Sequence, residues 1–330
     1  MELDCRGCAG CCLDWRPLVE DGAFDRGAED GIDDDHSASR RGPYPSLDGT
    51  YNLVPLERDE VRAFVDAGLG DVLTPRLWAA GPDDPHVEVG DHRVAAVAGH
   101  PAFFVGLRKP PKPVAPFGHE AATWLPTCVF LDPTTLQCRI HEDELYPAEC
   151  GAYPAHNLAL GQQTECERVE AATGDERLSS VDDERLADLD DRLLLGPQAV
   201  GGKVFCHPRP SDIRTAVDRL AAGAATRADR AEFVAVAAAS SPGTLAISEP
   251  HYERALERAE STSSWAGEAI AEWERLASDS DRSAGETVEG PSETRPNGRE
   301  ATAQSPDPSL AERVEVDRGA PATPGWPTKD

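Results

Sequence analysis

Four of the nine cysteines in this 330-residue chain lie in the short segment CRGCAGCC at 5–12. Two cysteines separated by two residues can bind one metal ion when the turn between them is tight. Gly7 and Gly10 stand where such turns need a positive φ or a free amide donor. Three of the thiols follow one another at this spacing, and the fourth is adjacent to the third: Cys5, Cys8, Cys11 and Cys12.

A second set of thiols is needed to complete any four-thiolate site. Neighbouring residues rarely direct both side chains at one centre, so Cys11 and Cys12 are expected to serve different centres or different edges of one. Eight thiolates are enough for two sites, each holding a zinc ion or a cubane iron–sulfur cluster, and the spacing leaves their pairing open. The middle of the chain supplies the other four thiols: Cys128, Cys138, Cys150 and Cys166.

Arginine residues lie beside or within two residues of three of these cysteines, at Arg6, Arg139 and Arg168. A four-thiolate centre is a dianion, and we expect these guanidinium groups to offset its charge. The ninth cysteine, Cys206 in KVFCHPRP, is interpreted as a small buried apolar residue rather than a ligand. His141 and His207 are weaker nitrogen candidates, because a single histidine beside a cysteine is seldom a ligand.

The chain is strongly acidic, with 60 Asp and Glu against 32 Lys and Arg and a formal net charge of −28. Such a surface repels phosphate groups and anionic lipid heads, which disfavours binding to nucleic acid or to a membrane. An acidic surface with few lysines suits high salt, where charge repulsion is screened, so a halophile's cytoplasm is predicted. The alternative is an ordinary acidic protein of a mesophile. The four lysines are Lys109, Lys112, Lys203 and Lys329.

The start, MELDCRGCAG, has no basic segment followed by an apolar run and therefore does not resemble a signal peptide. The longest apolar stretches, such as FVAVAAA at 233–239, are too short to cross a bilayer. We expect a cytoplasmic protein whose thiols stay reduced. In that compartment closely spaced cysteines indicate metal or redox chemistry before disulfides.

The composition divides the chain into three parts and predicts an α+β fold. Residues 1–170 are predicted to form a small metal-stapled cysteine-cluster domain with short strands and an acidic insertion at about 20–50. Residues 171–277 are predicted to form a mostly helical region. Residues 278–330 are rich in Ser, Asp, Glu, Gly, Pro and Thr, and are predicted to form a disordered acidic tail.

Local patterns predict the individual elements. A helix should follow Pro55, two short strands should flank the turn at Gly90, and PAFFVGL at 101–107 is a possible third strand. The proline-rich segment at 108–118 is predicted to be a loop. Four helices are predicted beyond the second cysteine group. The first lies between Ser180 and Gly196, with Leu186, Leu189 and Leu193 on its apolar face, and the second is capped by Ser211. The third lies at about 227–239, and the fourth at about 250–277 with Pro250 in its first turn.

The cysteine pattern resembles that of the CxxCxxCC, or YkgJ-type, cysteine-cluster family, described as a zinc- or iron-chelating domain. The family's opening C-x2-C-x2-C-C matches the thiols of 5–12. Its second block reads C-x-F-L, then C-x-I-Y, then R-P-x-x-C-R-x-[FY]-P, followed by a trailing cysteine. The matching residues here are Cys128-Val-Phe130-Leu131, Cys138-Arg-Ile140-His141, Tyr146-Pro147-Ala-Glu-Cys150-Gly-Ala-Tyr153-Pro154 and Cys166.

The chain departs from that family pattern at several positions. His141 stands in place of a tyrosine, while Tyr146 and Gly151 stand in place of the two arginines. Two extra residues separate Cys138 from Cys150. The likeness covers about 1–20 and 120–170, so it implies a metal-chelating cysteine skeleton without carrying over any role tied to the arginines.

Three functions are compatible with these patterns. The first is an iron–sulfur protein whose cluster, most simply 4Fe–4S, transfers electrons to a redox partner or supports a redox or methyl-transfer reaction. The C-x2-C-x2-C run favours it, because structural zinc sites more often use two separated C-x2-C pairs. The second is a structural zinc protein whose helical region binds a protein partner. Some relatives of the family resemble flagellin lysine methylases that carry an iron–sulfur cluster, which implies a methylase-like enzyme as a further alternative.

A hydrolase or transferase with an ordinary polar site is the least supported reading. The sequence contains no glycine-rich phosphate loop, no G-x-S-x-G elbow and no H-E-x-x-H motif. The nine histidines are scattered along the chain.

Overall fold

The computed structural model describes residues 2–19, 45–141, 143–159, 162–180, 199–285 and 309–324. They form a mixed α+β structure with antiparallel sheets, as the composition predicts. The helices are α1 (Arg58–Asp66), α2 (Ala148–Ala152), α3 (Ala155–Ala159), α4 (Glu165–Thr173), α5 (Arg214–Ala221), α6 (Arg227–Ala239), α7 (Glu249–Ser261), α8 (Trp265–Gly285) and α9 (Leu310–Glu315). None of these helices is both long enough and apolar enough to span a membrane.

The main sheet has five antiparallel strands. Its strand order is β2-β5-β4-β3, with β9 pairing to β5 as well. The predicted hairpin is confirmed, because β3 and β4 pair across Gly90, whose φ of 63° only glycine adopts readily. The strands of the structure are β1 (Glu2–Leu3), β2 (Leu73–Leu77), β3 (His86–Val89), β4 (His92–Val97), β5 (His100–Leu107), β6 (Pro111–Val114), β7 (Thr123–Pro126), β8 (Leu178–Ser180) and β9 (Phe205–Cys206).

Helix α6 packs against this sheet and provides much of the main core. Its residues Phe233 to Ala239 are buried, since the helix is covered by the sheet and by helices α1 and α7. The Phe233 ring meets Phe103 of β5 edge to face, with the ring centroids 5.0 Å apart. This core runs from Leu56 to Ile270 and therefore includes residues on both sides of the predicted boundary at 170.

A second, smaller core surrounds the first cysteine segment. It contains Leu13, Trp15 and Phe117, and the Trp15 and Phe117 rings meet edge to face at 5.9 Å. Two short antiparallel sheets lie around it, one of β1 with β8 and one of β6 with β7. Cys128 packs against both this core and the main core. Cys128 therefore lies where the two cores meet.

Strand β6 corrects the prediction of a loop at 108–118. Pro111 and Pro113 lie within it, and it pairs with β7 in a two-stranded sheet. A proline is tolerated in such an edge strand because its missing N–H can face away from the partner strand. Lys112 between the two prolines has a side chain only 1 % exposed.

The helix predicted at 250–277 is two helices, α7 and α8, separated at 262–264. The break arises because the backbone N–H and hydroxyl of Ser264 both donate to the buried Asp71 carboxylate, over 2.9 and 2.6 Å. Pro250 lies in the first turn of α7, as predicted. The Ser211 cap is wrong, because Ile213 precedes α5 and the Ser211 hydroxyl donates to Asp212 instead.

The tail predicted to lack structure is ordered in two places. Helix α8 continues to Gly285, and residues 309–324 form α9 and a short 3-10 turn. Ala311 and Val314 of α9 pack with Ala269 and Trp273 of α8. The sequence pattern does not predict this contact, because the contact depends on a few residues that only tertiary packing brings together.

Two further predictions fall on residues that the structure does not describe. The helix between Ser180 and Gly196 lies mostly within 181–198, and the acidic insertion lies mostly within 20–44. The remaining parts of the predicted tail, 286–308 and 325–330, are also outside the described residues.

Candidate functional site

Backbone pairing joins the first cysteine segment to the middle of the chain. Leu13 forms an antiparallel bridge with Thr127, and the N–H of Cys128 donates to the carbonyl of Cys12 over 2.7 Å. A turn after Cys128 then returns the chain, since Leu131 bridges to Cys138. Three cysteines that are far apart in sequence are thereby held on neighbouring backbone segments.

These three thiols and a fourth, Cys150 of helix α2, form what we call the inner group. Burial and the neighbouring Cys128 together raise the pKa of the Cys138 thiol to about 12. Burial also raises the pKa of Cys150 well above its ordinary value, with contributions from the other three thiols. Burial, Cys128 and Cys138 raise the pKa of Cys12. The inner group is Cys12, Cys128, Cys138 and Cys150.

The remaining four thiols form what we call the outer group. Cys166 lies in the first turn of helix α4, and a hydrogen bond with Cys11 lowers the pKa of its thiol. Burial is the main cause that raises the pKa of Cys8 to about 11, with smaller contributions from Cys166 and Cys5. Cys5 and Cys11 are exposed residues. We assign Cys5, Cys8, Cys11 and Cys166 to the outer group. The two groups adjoin, because Cys12 also raises the pKa of Cys11 and Cys8 also raises that of Cys12.

Helix α4 begins where the sequence TECE predicts a capping box. The N–H of Glu167 donates to the Thr164 hydroxyl over 3.1 Å, and the Glu167 carboxylate accepts from the N–H of Thr164 over 2.6 Å. This cap fixes the direction of the first turn. It therefore fixes where Cys166 presents its thiol.

A buried carboxylate attaches the start of α4 to the first cysteine segment. Glu165 is fully buried, and it accepts hydrogen bonds from Trp15 Nε1 and from the Tyr51 hydroxyl, each over 2.6 Å. Asn52 Nδ2 donates to the Cys11 carbonyl over 3.0 Å and also contacts Glu165 at 3.4 Å. Removing this carboxylate would leave buried donors without an acceptor, which is costly.

Backbone amides point at some of the sulfurs. The N–H of Gly10 donates to the Cys8 sulfur, and the N–H groups of Ile140 and His141 donate to the Cys138 sulfur. Gly7 has the positive φ, 62°, that the sequence predicts. Gly10 supplies the amide donor, also as predicted. Such N–H···S bonds stabilise thiolates and tune metal–thiolate centres.

The cations that face the thiols differ from those predicted. Lys109 lowers the pKa of Cys12 and Lys112 that of Cys138, although burial outweighs both and the two pKa values are raised overall. Arg177 acts in the same way on Cys8. The chain has only four lysines, and two of them lie beside the inner group. The closeness of Lys109 and Lys112 in a sequence with so few lysines was the signal that could have identified them as the cations beside the inner thiols.

The three arginines predicted to offset the thiolate charge each pair with a carboxylate. The exposed Arg6 contacts Asp4 at 3.3 Å, and the buried Arg139 contacts Glu315 at 2.9 Å. Arg168 lies 3.7 Å from Glu165. Their closeness to cysteines in sequence does not direct their guanidinium groups at sulfur, because neighbouring carboxylates are stronger partners.

Tyr146 borders the inner group at a position where the family pattern has arginine. Burial raises the pKa of its hydroxyl above the ordinary value, and Cys150 and Cys138 raise it further. A Cβ atom placed on Gly151 would lie 3.5 Å from the Tyr146 ring. The two positions at which this chain replaces arginine are therefore in contact with each other. The His141 ring meets Tyr146 edge to face at 5.0 Å.

Cys206 and His207 lie apart from both groups. Cys206 is buried in β9, as interpreted from the sequence, and no other thiol affects its pKa, which burial raises to about 11. The His207 ring is fully buried, and its Nε2 lies 2.9 Å from the Glu232 carboxylate. The His207 ring also lies beside Phe233 of the main core, with the ring centroids 5.4 Å apart.

All nine cysteines are free thiols. Within the part of the chain that the structure describes, no three or more His, Cys, Asp or Glu side chains are arranged to hold a metal ion in the positions they occupy. The members of each group lie close enough to shift one another's pKa values without surrounding a common point.

A protein-family model described as "Family of unknown function (DUF7531)" matches residues 1–327, nearly the whole chain. No curated protein and no solved structure matches the chain.

Proposed function

Because the chain belongs to this family of unknown function, we propose a function from its own residues: it is a metal-binding protein that holds iron–sulfur clusters on cysteine thiolates and transfers electrons. One centre is held by the outer group (Cys5, Cys8, Cys11 and Cys166). The other is held by the inner group (Cys12, Cys128, Cys138 and Cys150). The ninth thiol, Cys206, takes no part.

The grouping of eight thiols into two sets of four carries this proposal. The contacts that produce it join segments far apart in sequence, such as the 2.7 Å hydrogen bond from Cys128 to Cys12. A hydrophobic core needs no such concentration of sulfur. Four thiolates are the complete ligand set of a 4Fe–4S cluster or of a structural zinc ion.

The surroundings of the thiols suit a bound cation. Burial and mutual repulsion raise most of the thiol pKa values, so at neutral pH protons occupy these sulfurs. A metal replaces those protons and supplies the positive charge that makes neighbouring thiolates compatible. The dianion that results is compensated by Lys109, Lys112 and Arg177 and by the amide donors of Gly10 and Ile140.

Two features favour iron–sulfur clusters and electron transfer. The run C-x2-C-x2-C matches the ligand spacing of bacterial ferredoxins, and the whole cysteine skeleton resembles a metal-chelating family. Cys11 and Cys12 are adjacent, with Cα atoms about 3.8 Å apart, yet they belong to different groups. Two centres ligated by neighbouring residues are close enough for electrons to pass between them. Cys5 and Cys11 of the outer group are exposed residues, and a redox partner would exchange electrons there.

A structural zinc protein is the second candidate, and one observation favours it. Cys128 packs against both hydrophobic cores, so metal in the inner group would join them. Zinc at a closed four-thiolate site contributes folding free energy directly. In that case the helical region is the surface left for a protein partner.

The acidic surface and the free thiols favour a reducing cytoplasm as the place of action. A net charge of −28 disfavours nucleic acid as a partner and suits a halophile's salt concentration. We therefore propose a protein as the redox partner.

Anaerobic purification followed by elemental analysis and a visible spectrum tests the proposal. A brown protein that absorbs near ~400 nm and contains about eight irons per chain, with labile sulfide, is the expected result. A colourless protein with about two zinc ions per chain supports the structural alternative instead. Folded protein without any transition metal contradicts both.

A further inference from the structure

The last described part of the chain returns to the middle of the sequence. We call residues 309–324 the C-terminal clasp; they contain helix α9 followed by an irregular segment. The chain reverses between these two parts, because the N–H of Ala320 donates to the carbonyl of Glu315 over 3.1 Å. Gly319 permits this reversal, since its φ of 89° lies in the left-handed region that favours glycine. Both parts of the clasp can therefore contact the same neighbour.

That neighbour is the segment 128–139, which we call the thiol turn because Cys128 and Cys138 of the inner group lie near its ends. Backbone pairing joins its two sides, since the N–H of Arg139 donates to the carbonyl of Phe130 over 2.8 Å. The conformation of the thiol turn therefore decides how two of the four inner sulfurs lie relative to each other.

The carboxylate of Asp132 closes the thiol turn from inside. Its Oδ1 accepts from the N–H groups of Thr134 and Thr135 over 2.9 and 3.3 Å. Its Oδ2 lies 3.2 Å from the Arg139 guanidinium on the other side of the turn. The same Oδ2 accepts from the hydroxyl of Thr323 in the clasp over 2.7 Å. One end of the clasp thus binds the carboxylate that holds the turn together.

The buried Arg139 connects the thiol turn to the clasp through two further contacts. Its Nε donates to the carboxylate of Glu315 over 2.9 Å, and its Nη1 donates to the carbonyl of Pro321 over 3.0 Å. Its Nη2 is the nitrogen that faces Asp132. Two of the three guanidinium nitrogens therefore have their partners in the clasp, and the third has its partner within the turn.

The charges at this contact balance only when the clasp is in place. Lys112 lies 2.6 Å from Glu315 and also donates to the carbonyl of Leu131 in the thiol turn over 2.8 Å. Two buried cations, Lys112 and Arg139, thus face two buried carboxylates, Asp132 and Glu315. Without the clasp two cations would face a single carboxylate. Buried charge without a partner is costly, so loss of the clasp should loosen the thiol turn.

The clasp itself is attached by few residues. Within the described part of the chain, its buried residues are Ala311, Val314 and Glu315. Segments with few buried apolar contacts open locally at a lower free energy than the whole protein unfolds. The clasp can therefore leave the thiol turn while the main core stays folded.

We propose that the C-terminal clasp controls how fast metal enters and leaves the inner group. This inference rests on the proposed function, because it needs a metal at the inner thiols. A bound clasp holds the thiol turn in one conformation and so keeps Cys128 and Cys138 together. Release of the clasp loosens the turn, and metal at the inner group exchanges faster. The outer group has no member in the thiol turn, so its metal should exchange at an unchanged rate.

A matched pair of substitutions tests the positioning role of the clasp. Thr323→Val removes the hydroxyl that donates to Asp132 and keeps nearly the same side-chain shape. Thr135→Val makes the same change at an exposed threonine of the thiol turn whose hydroxyl has no hydrogen bond among the described residues. The two variants therefore differ in whether they touch the contact between clasp and turn.

Hydrogen–deuterium exchange of the full-length protein as purified is the first measurement, and it needs no knowledge of the metal. In Thr323→Val the amides of the thiol turn should exchange about tenfold faster than in the wild type, because a hydrogen bond to a charged group is lost. Peptides from helix α4 should be unchanged, and Thr135→Val should match the wild type. Equal exchange of the turn in all three proteins, or a uniform rise along the whole chain, overturns the inference.

Release of zinc from the loaded protein to a chromophoric chelator is the second measurement. Zinc passes to the chelator and protons take its place on the thiols. Thr323→Val should release about half of the zinc roughly tenfold faster and the other half at the wild-type rate, whereas Thr135→Val should behave as the wild type. Release that is unchanged, or faster from both groups alike, overturns this inference alone. A folded protein that loads no metal contradicts the proposed function, and this inference with it.

Discussion

The carboxylate of Glu315 lies 2.6 Å from the ammonium of Lys112, and the two side chains are 0 % and 1 % exposed. Glu315 also contacts Arg139 Nε at 2.9 Å and accepts a hydrogen bond from Trp273 Nε1 over 3.0 Å. Lys112 donates in addition to the carbonyl of Leu131 over 2.8 Å. This cluster attaches helix α9 to strand β6 and to the turn that carries Cys128 and Cys138.

The substitution Glu315→Gln should therefore be strongly destabilising. It leaves the buried charges of Lys112 and Arg139 without their main partner, and breaking a buried pair in this way costs about 3–5 kcal/mol. Urea unfolding followed by circular dichroism measures the loss. The matched control is Glu312→Gln, an exposed glutamate on the same helix, which should change the free energy of unfolding by less than about 0.5 kcal/mol. Equal effects of the two substitutions would refute the role given to Glu315.

Asp229 should make stability depend on pH in the acid range. Burial alone would raise its pKa, but hydrogen bonds from Arg219 and Thr226 outweigh burial and lower the pKa to about 2. Because the pKa is lower in the folded than in the unfolded state, the stabilisation is complete above about pH 4 and disappears as the pH falls to about 2. Arg219 is 39 % exposed, so solvent screening reduces the contribution to roughly 1 kcal/mol.

Urea unfolding of wild type and Asp229→Asn at a series of pH values measures the pH dependence that Asp229 contributes to stability. The stability difference between the two should be constant near neutral pH and shrink below about pH 4. The exposed Glu257→Gln is the control, and its difference from the wild type should stay small throughout. A stability difference between wild type and Asp229→Asn that grew as the pH fell would contradict the prediction.

The close approach of Gly10 to helix α4 predicts a steric effect. A methyl group there would meet the Val169 side chain at 2.9 Å, so Gly10→Ala should cost about 1–3 kcal/mol. Gly49→Ala, where an added Cβ meets open space, is the control. In the Gly10→Ala background, Val169→Ala should restore part of the loss, because it removes the opposing atoms. Strictly additive losses in chemical denaturation would show that the two residues do not touch.

Cys206 should alkylate slowly in the folded protein. Burial raises its pKa to about 11, so at pH 8 its thiolate is about 100-fold scarcer than that of an ordinary protein thiol. The alkylation rate of Cys206 should rise as the pH increases towards about 11. Residue-resolved mass spectrometry after timed alkylation of metal-free protein gives these rates. A rate for Cys206 equal to that of Cys166, whose pKa a hydrogen bond with Cys11 lowers, would contradict its placement.

Sequence patterns predicted the elements that local periodicity determines. Helix α1 with Val61, Phe64 and Val65 inward, the hairpin at Gly90 and helix α6 all formed as expected, because their apolar spacing and turn residues are sufficient signals. Strand β6 was missed, since Pro111 and Pro113 indicate a loop unless the pairing partner is known. The break before Trp265 was also missed, although the run STSS at 261–264 was a usable signal.

For the candidate site, the cysteine spacing nominated eight thiols and predicted that Cys11 and Cys12 serve different centres or different edges of one. Which thiols lie together depends on the bridge from Leu13 to Thr127 and on the position of α4, both of them tertiary contacts. The buried Glu165 and the facing Lys109 and Lys112 gain their roles only through that packing.

The most direct test of the central claim is native mass spectrometry of anaerobically purified protein and of three single-cysteine variants. The account predicts two metal centres on the wild type, and two on Cys206→Ser. It predicts one centre on Cys8→Ser, retained by the inner group at reduced solubility, and one on Cys138→Ser, retained by the outer group. A wild-type chain that is folded, melts cooperatively and carries no metal would contradict it.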